Sequence, residues 1–176
     1  MILLIYAHPH HSRSIAQRLL LDAVRDLPQL RVHALYDRYP DFSIDVPAEQ
    51  ALLAQARLVI WQHPLHWYAP PALLKLWFEA VLTNGWAYGS GNALAGKDCI
   101  WVTSTGATAQ DYQADGKHQH EFGAFVPGVK QTAQFCGMRW LEPLVVHGAH
   151  RLDRSALEQH GVSYRARLEA WVEEHG

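Results

Sequence analysis

Three short segments of this chain carry side chains whose types and spacing could hold a ligand. The first, Ala7-His8-Pro9-His10-His11-Ser12-Arg13-Ser14, follows an apolar run and precedes a helical pattern. Hydroxyls and a guanidinium at a helix start suit an anion, because the first N–H groups are unpaired and the helix dipole favours negative charge. No Gly-x-x-x-x-Gly-Lys pattern occurs, so a single phosphate suits the segment better than a triphosphate. The second, Gln62 to Ala69, places His63, Pro64, Leu65, His66, Trp67 and Tyr68 in one loop. Flat aromatic side chains and turning backbone amides are what a planar, hydrogen-bonding heterocycle needs. The third, Ser104-Thr105-Gly106-Ala107-Thr108, is another small hydroxyl turn. The first two have structural alternatives: a helix capped by Ser12 or Ser14, and aromatics folded into the core.

The elements that must position these segments alternate. Ile2 to Ala7 and Arg57 to Trp61 are short apolar runs, which suit strands buried on both faces of a parallel sheet. A helix runs from the first hydroxyl turn to about Leu27, with Ile15, Leu19, Ala23 and Leu27 on one face. Leu30 to Tyr36 reads as an edge strand because Arg31 and His33 interrupt it. A short helix follows from about Pro47 to Ala56, and Pro70-Pro71 opens another that runs to Leu82. From Pro71 to Leu82 only Lys75 and Glu79 are charged, so that helix is apolar almost all round. Leu73, Leu76, Trp77 and Val81 should not all face one sheet, which predicts a homodimer through helix 71–82.

Asp98 to Ser104 is a fourth strand, and a polar excursion to about Phe122 holds Tyr112, His118 and His120. A loop of that length in a small domain is functional or mobile. Val126 to Phe135 reads as a helix, and Met138 to Val146 as a fifth strand bent by Pro143. Ser155 with Glu158 forms a capping box for a last helix bearing Leu157, Gly161, Tyr164, Leu168, Trp171 and Val172. Gly89-x-Gly91 lacks the preceding strand and third glycine of a dinucleotide fingerprint. The alternation predicts one α/β domain over residues 1–176, a five-stranded doubly wound parallel sheet of order 2-1-3-4-5, the flavodoxin-like arrangement. The three segments then fall at the carboxyl edge of one sheet. A phosphate seat beside two loops for something flat fits a flavin mononucleotide (FMN).

Composition bounds the alternatives. With 176 residues, 49% of them hydrophobic and 18% charged, the chain can bury a full core. A net charge of −2 without a basic run gives no footprint for nucleic acid. The 12 histidines show no matched metal-ligand spacing, so no metal site is expected. Cys99 and Cys136 sit in apolar segments, and Met1 leads into an apolar run with no basic leader; both suggest a cytoplasmic protein.

Several pieces taken together carry a family resemblance: Tyr6-Ala7-His8-Pro9, Tyr39-Pro40-Asp41-Phe42-x-Ile44-Asp45, Trp61-Gln62-His63-Pro64, Pro71-x-Leu73-Leu74-Lys75-x-Trp77, Gly85-Trp86-Ala87-Tyr88-Gly89 and Ser104-Thr105-Gly106. The chain resembles the NAD(P)H:quinone reductase (DT-diaphorase-like) flavoproteins, and most closely the ancillary subunits of Kef-type glutathione-gated potassium efflux systems. The resemblance implies that His8, Ser12, Arg13, Ser14 and Ile15 hold the flavin phosphate and ribityl chain. It implies that Pro64, Leu65, His66, Trp67 and Tyr68 line the isoalloxazine, and that Ser104, Thr105, Gly106 and Ala107 close its other side. Tyr112 and His118 would stabilise charge on the reduced flavin, and Trp86 and Tyr88 would face substrate. FMN is expected rather than FAD, because the chain stops soon after its last helix. Ala107 stands where the family's turn has a glycine, and its Cβ could crowd the flavin. The implied activity is ping-pong transfer of two electrons from NAD(P)H to a quinone. A regulatory subunit of a potassium efflux channel, peripheral at the inner membrane, is the alternative. A flavodoxin-like electron carrier fits less well, since carriers dock through strongly charged faces.

Overall fold

The apolar run at the amino terminus forms the middle of a parallel sheet in the computed structural model, which describes residues 1–175. Strand β1 (Ile2–Tyr6) is buried at every position and lies between β2 (Leu30–Ala34) and β3 (Leu58–Pro64). Strand β3 also pairs with β4 (Asp98–Ser104), from Leu58 opposite Asp98 to Pro64 opposite Ser104. Beyond β4 lie two short strands, β5 (Arg139–Trp140) and β6 (Leu144–Val146), both paired with it. The order is β2-β1-β3-β4-β5, with β6 continuing the fifth position. The expected single fifth strand is therefore divided: Leu141, Glu142 and Pro143 lie between the two ladders, and proline has no N–H to give.

Helices cover both faces. Helices α2 (Leu35–Arg38), α3 (Val46–Gln55), α4 (Ala72–Val81) and α5 (Pro127–Phe135) pack over one face, α1 (Ala16–Val24) and α6 (Arg154–His175) over the other. Among the described residues no helix is long and apolar enough to cross a membrane.

Four expectations need correction. In α1 the buried face is Ala16, Gln17, Leu20, Leu21 and Val24, while Ile15 is 67% exposed, so the apolar stripe is rotated by about one residue. Leu19 and Ala23 instead meet α6, where Gly161 permits the approach: a Cβ there would stand 3.1 Å from that of Ala23. The last helix is capped by Asp153, whose Oδ1 accepts from the Ala156 N–H at 2.8 Å; Glu158 pairs with Arg154 instead. Strand β3 runs to Pro64, three residues beyond Trp61, because its polar residues find buried partners.

The fourth correction concerns α4. Leu73, Leu74, Trp77 and Val81 are fully buried and Phe78 nearly so, all within one chain. Helices α2 and α3 flank α4, and its second apolar face is spent on them and on Glu49, which accepts from Trp77 Nε1 at 2.7 Å. The apolar circumference thus gives no argument for a dimer, and of the four residues named for it only Leu76 reaches the surface.

Candidate functional site

The carboxyl ends of β1, β3, β4 and β6 open onto one cavity of about 350 Å³. Ten of the expected residues line it: His8, Arg13, Ser14, Ile15, Pro64, Leu65, His66, Ser104, Thr105 and Gly106. A 3₁₀ turn (His11–Arg13) delivers the chain into α1. Ser14 Oγ accepts from the Gln17 N–H at 3.2 Å, so of the two serines considered as caps it is Ser14 that does the capping. The remaining N–H groups of the first turn have no intrahelical partner, and the positive end of the dipole lies beside Arg13 and four imidazoles.

Those imidazoles are His8, His10, His66 and His150. His8 Nδ1 accepts from the His10 N–H at 3.0 Å, and the His66 ring stands 6.4 Å away edge-on. Burial, then the neighbouring His66, His11 and His10, pushes His8 down to about 4. Burial also lowers His66, with His10 adding to the effect. The cradle is therefore polar, with its permanent charge from Arg13, and the His8 and His66 rings, shifted toward the neutral form, can donate or accept a proton in a hydrogen bond.

Sequence reasoning missed part of this wall. His10, Ala16, Ala149, His150, Leu152 and Leu157 complete it. Four of these belong to the segment after β6 and the start of α6. The signal was present: the rule that ligands bind at carboxyl ends applies to the fifth strand position as well.

The second loop is a tight turn closed by paired bonds between His66 and Ala69, each N–H donating to the other's carbonyl at 3.0 Å. Its two central residues are Trp67 (φ 48°) and Tyr68 (φ 64°), both left-handed. Asparagine and glycine are the usual occupants of such a turn; two aromatics there hold strain of order 1–3 kcal/mol each, a feature that clusters at functional sites. Trp67 is 92% exposed, whereas the Tyr68 ring turns back over Phe125 at 5.0 Å.

Tyr112 and His118 meet this turn. Asp111 accepts from the Thr108 N–H and hydroxyl and anchors the 3₁₀ turn Gln110–Tyr112. The chain then doubles back through Gly116, where a Cβ would fall 2.4 Å from the Gln110 carbonyl oxygen, so only glycine fits. The His118 ring consequently stacks on Tyr112 at 4.4 Å, and its Nδ1 lies 3.2 Å from the Tyr68 hydroxyl. Tyr112 is buried, not a surface loop residue, and burial followed by Tyr68 and Asp111 raises its pKa, keeping the phenol a donor. His118 Nε2 is buried with no partner. The Tyr68 contact engages Nδ1 alone, which leaves Nε2 a buried ring nitrogen without a partner beside the aromatic turn. Such an orphan suits a ligand that brings a hydrogen-bonding group.

Ser12, Trp67, Tyr68, Ala107, Tyr112 and His118 flank the cavity and do not line it. Thr105 Oγ1 donates to the Ala107 carbonyl at 2.7 Å, and the Gly148 N–H donates to the same oxygen, so Ala107 is held within its own turn. Trp86 and Tyr88 are not brought to the site of their own chain. Both pack against the core, and Tyr88 stands 4.9 Å from Phe135 beside Cys136 and Gly137, whose chain meets Gly96 just before β4 begins, at the opposite end of the sheet.

Cavity and flank fit a flavin phosphate and ring by their chemistry: an anion seat, a row of hydroxyls, an aromatic turn and an unpaired buried ring nitrogen. The family described as flavodoxin-like fold matches residues 1–171. The glutathione-regulated potassium-efflux system ancillary protein KefF of Klebsiella aerogenes is 44% identical over 183 residues, covering 99% of this chain and 98% of its own. General stress protein 14 of Treponema denticola, solved in complex with FMN, superposes with a TM-score of 0.90 at 38% identity, over 96% of this chain and 98% of that one. An NADPH-quinone reductase of P. pentosaceus superposes with a TM-score of 0.85 at 32% identity, over 94% and 95%.

Proposed function

The chain belongs to the flavodoxin-like family, and from that premise we propose that it is an FMN-dependent NAD(P)H:quinone oxidoreductase. The carrying observation is the convergence of an anion seat, hydroxyl turns and an aromatic turn at one sheet edge. His8, Arg13, Ser14 and the opening N–H groups of α1 would hold the phosphate, with Ile15 and Ser12 beside it. Pro64, Leu65 and His66, with the amides of Trp67 and Tyr68, would take one side of the ring; Ser104 to Ala107 would take the other. Bound there, FMN supplies hydride acceptance from NAD(P)H and two-electron delivery to a quinone, in ping-pong order. FMN is preferred to FAD because the similar T. denticola protein holds FMN.

Tyr112 and His118 act in this reading as donors that meet negative charge arising during reduction. Such donors favour the transition state over the ground state. Tyr112→Phe and His118→Ala should each slow flavin reduction by roughly 10²-fold while leaving FMN bound. Stopped-flow absorbance at saturating NAD(P)H measures this, and unchanged rates in both variants would remove the pair from the mechanism. The reading also includes a second copy of the chain against the exposed side of α4, where Leu76→Asp, followed by light scattering, is the appropriate test.

A second reading is favoured by the full-length identity to KefF: the chain serves as a peripheral ancillary subunit of a glutathione-regulated potassium-efflux system. Potassium efflux measured with and without the chain tests that role independently of reductase activity.

A further inference from the structure

Behind the cavity wall lies a polar side chain that neither motif nor spacing singles out. Gln17 is 1% exposed on the inner face of α1. Its Nε2 donates to the His63 carbonyl at 3.0 Å and to Ser104 Oγ at 2.9 Å. One amide thereby ties the helix after β1 to the carboxyl ends of β3 and β4, three of the places from which the cavity is built. Its own carbonyl accepts from Gln62 Nε2 at 3.0 Å, and Gln62 Oε1 in turn accepts from the Tyr164 hydroxyl at 3.3 Å.

The direction of these bonds has a chemical consequence. The His63 carbonyl can only accept, so it fixes the NH₂ face of Gln17 toward it; the reversed amide would set two acceptors together. Nε2 then also donates to Ser104, which occupies a lone pair of that hydroxyl and leaves its proton free. Among the described residues Ser104 Oγ makes no donation, and Ser104 lines the cavity.

We propose that Gln17 is a positioning residue that makes the Ser104 hydroxyl a hydrogen-bond donor to the oxygen-rich part of the bound flavin. This rests on the FMN reading above. Gln17 touches no ligand; it fixes which way the Ser104 proton points. The buried Gln17 Oε1, which has no partner, is the cost of that orientation, because a core residue chosen only for packing would carry no orphaned acceptor.

A double-mutant cycle on apo-protein, read by FMN fluorescence quenching, tests the idea. Gln17→Met keeps the volume and leaves the His63 carbonyl its second donor, Thr103 Oγ1 at 2.9 Å, so the fold should survive. Gln17→Met and Ser104→Ala should each weaken FMN about tenfold, and the double variant no more than either alone. Gln17→Glu should also weaken FMN, because a carboxylate would draw the Ser104 proton toward itself. Thermal melts of the apo-proteins separate affinity from stability. Multiplied losses in the double variant, or unchanged affinity in Gln17→Met, would overturn the role of Gln17 alone. Failure of the unmodified protein to bind FMN would overturn both this inference and the function it rests on.

Discussion

The two ends of the same sheet are built from similar residues and treat them differently. At the amino end Asp98 is buried, accepts from Arg139 Nη2 and Trp171 Nε1 at 2.7 Å each, and thereby fastens β5 and the end of α6 to β4. Lys97 donates to the Ala54 and Ala56 carbonyls beside it. At the carboxyl end His8 is held neutral, Trp67 and Tyr68 carry left-handed backbone, and Gln17 Oε1 and His118 Nε2 lack partners. Among the described residues the one other buried side-chain polar atom without a partner is Trp61 Nε1, within β3. A satisfied end stabilises the fold, and an end with open valences, strain and forced neutrality has something to gain from a ligand.

Changes to the scaffold should cost stability, and changes at the carboxyl end should cost binding. The largest effect should follow Trp77→Asp in α4, which buries a charge where Trp77 is fully enclosed. A loss above about 4 kcal/mol is expected, enough to prevent folding. Circular dichroism would show it; a folded, monomeric variant would return Trp77 to a subunit interface.

Asp98→Ala should come next, at about 1–3 kcal/mol, because the Trp171 N–H loses its acceptor while the Arg139 head remains largely exposed. Urea denaturation should report that loss with FMN affinity unchanged. An affinity loss larger than the stability loss would erase the contrast between the ends.

Acid should separate the ends by pH window. Burial pushes His8 and His63 down to about 4 from 6.5, so the unfolded chain binds more protons between those values. Stability from that end is present above pH 6.5 and lost as pH falls toward 4. For Asp98, burial opposes ionisation, but bonds from Arg139 and Trp171 outweigh it and hold the carboxyl below 3.8. Its contribution is present above 3.8 and lost only as pH falls through the lower, folded value. Urea midpoints across this range should fall in two stages. His8→Asn should shrink the first to the share of His63 and Asp98→Asn should flatten the second; an interchange of the two would contradict the assignment.

How much of this was legible in the sequence follows the same division. The strand order, the carboxyl-edge site and ten cavity residues could be read, because apolar runs and turn residues report directly on buried strands and the loops after them. The end of β3 could not: Gln62 and His63 look like loop residues until Gln17, Tyr164 and Trp101 supply their hydrogen bonds. The circumference of α4 misled for a related reason, since periodicity counts apolar faces but does not say that α2 and α3 cover the second one. Tyr112 and His118 were singled out by the family resemblance, yet their contact depends on Gly116 and on the Asp111 anchor, which no periodicity reveals.

The central claim, a flavin mononucleotide at the carboxyl end of the sheet, is tested most directly by denaturing the purified protein and identifying what it releases. The account predicts a yellow protein that yields FMN, and an apo-form whose melting temperature rises with added FMN, by the equivalent of about 2.7 kcal/mol at one hundred times the dissociation constant. A colourless protein whose melting temperature is unmoved by excess FMN would contradict it.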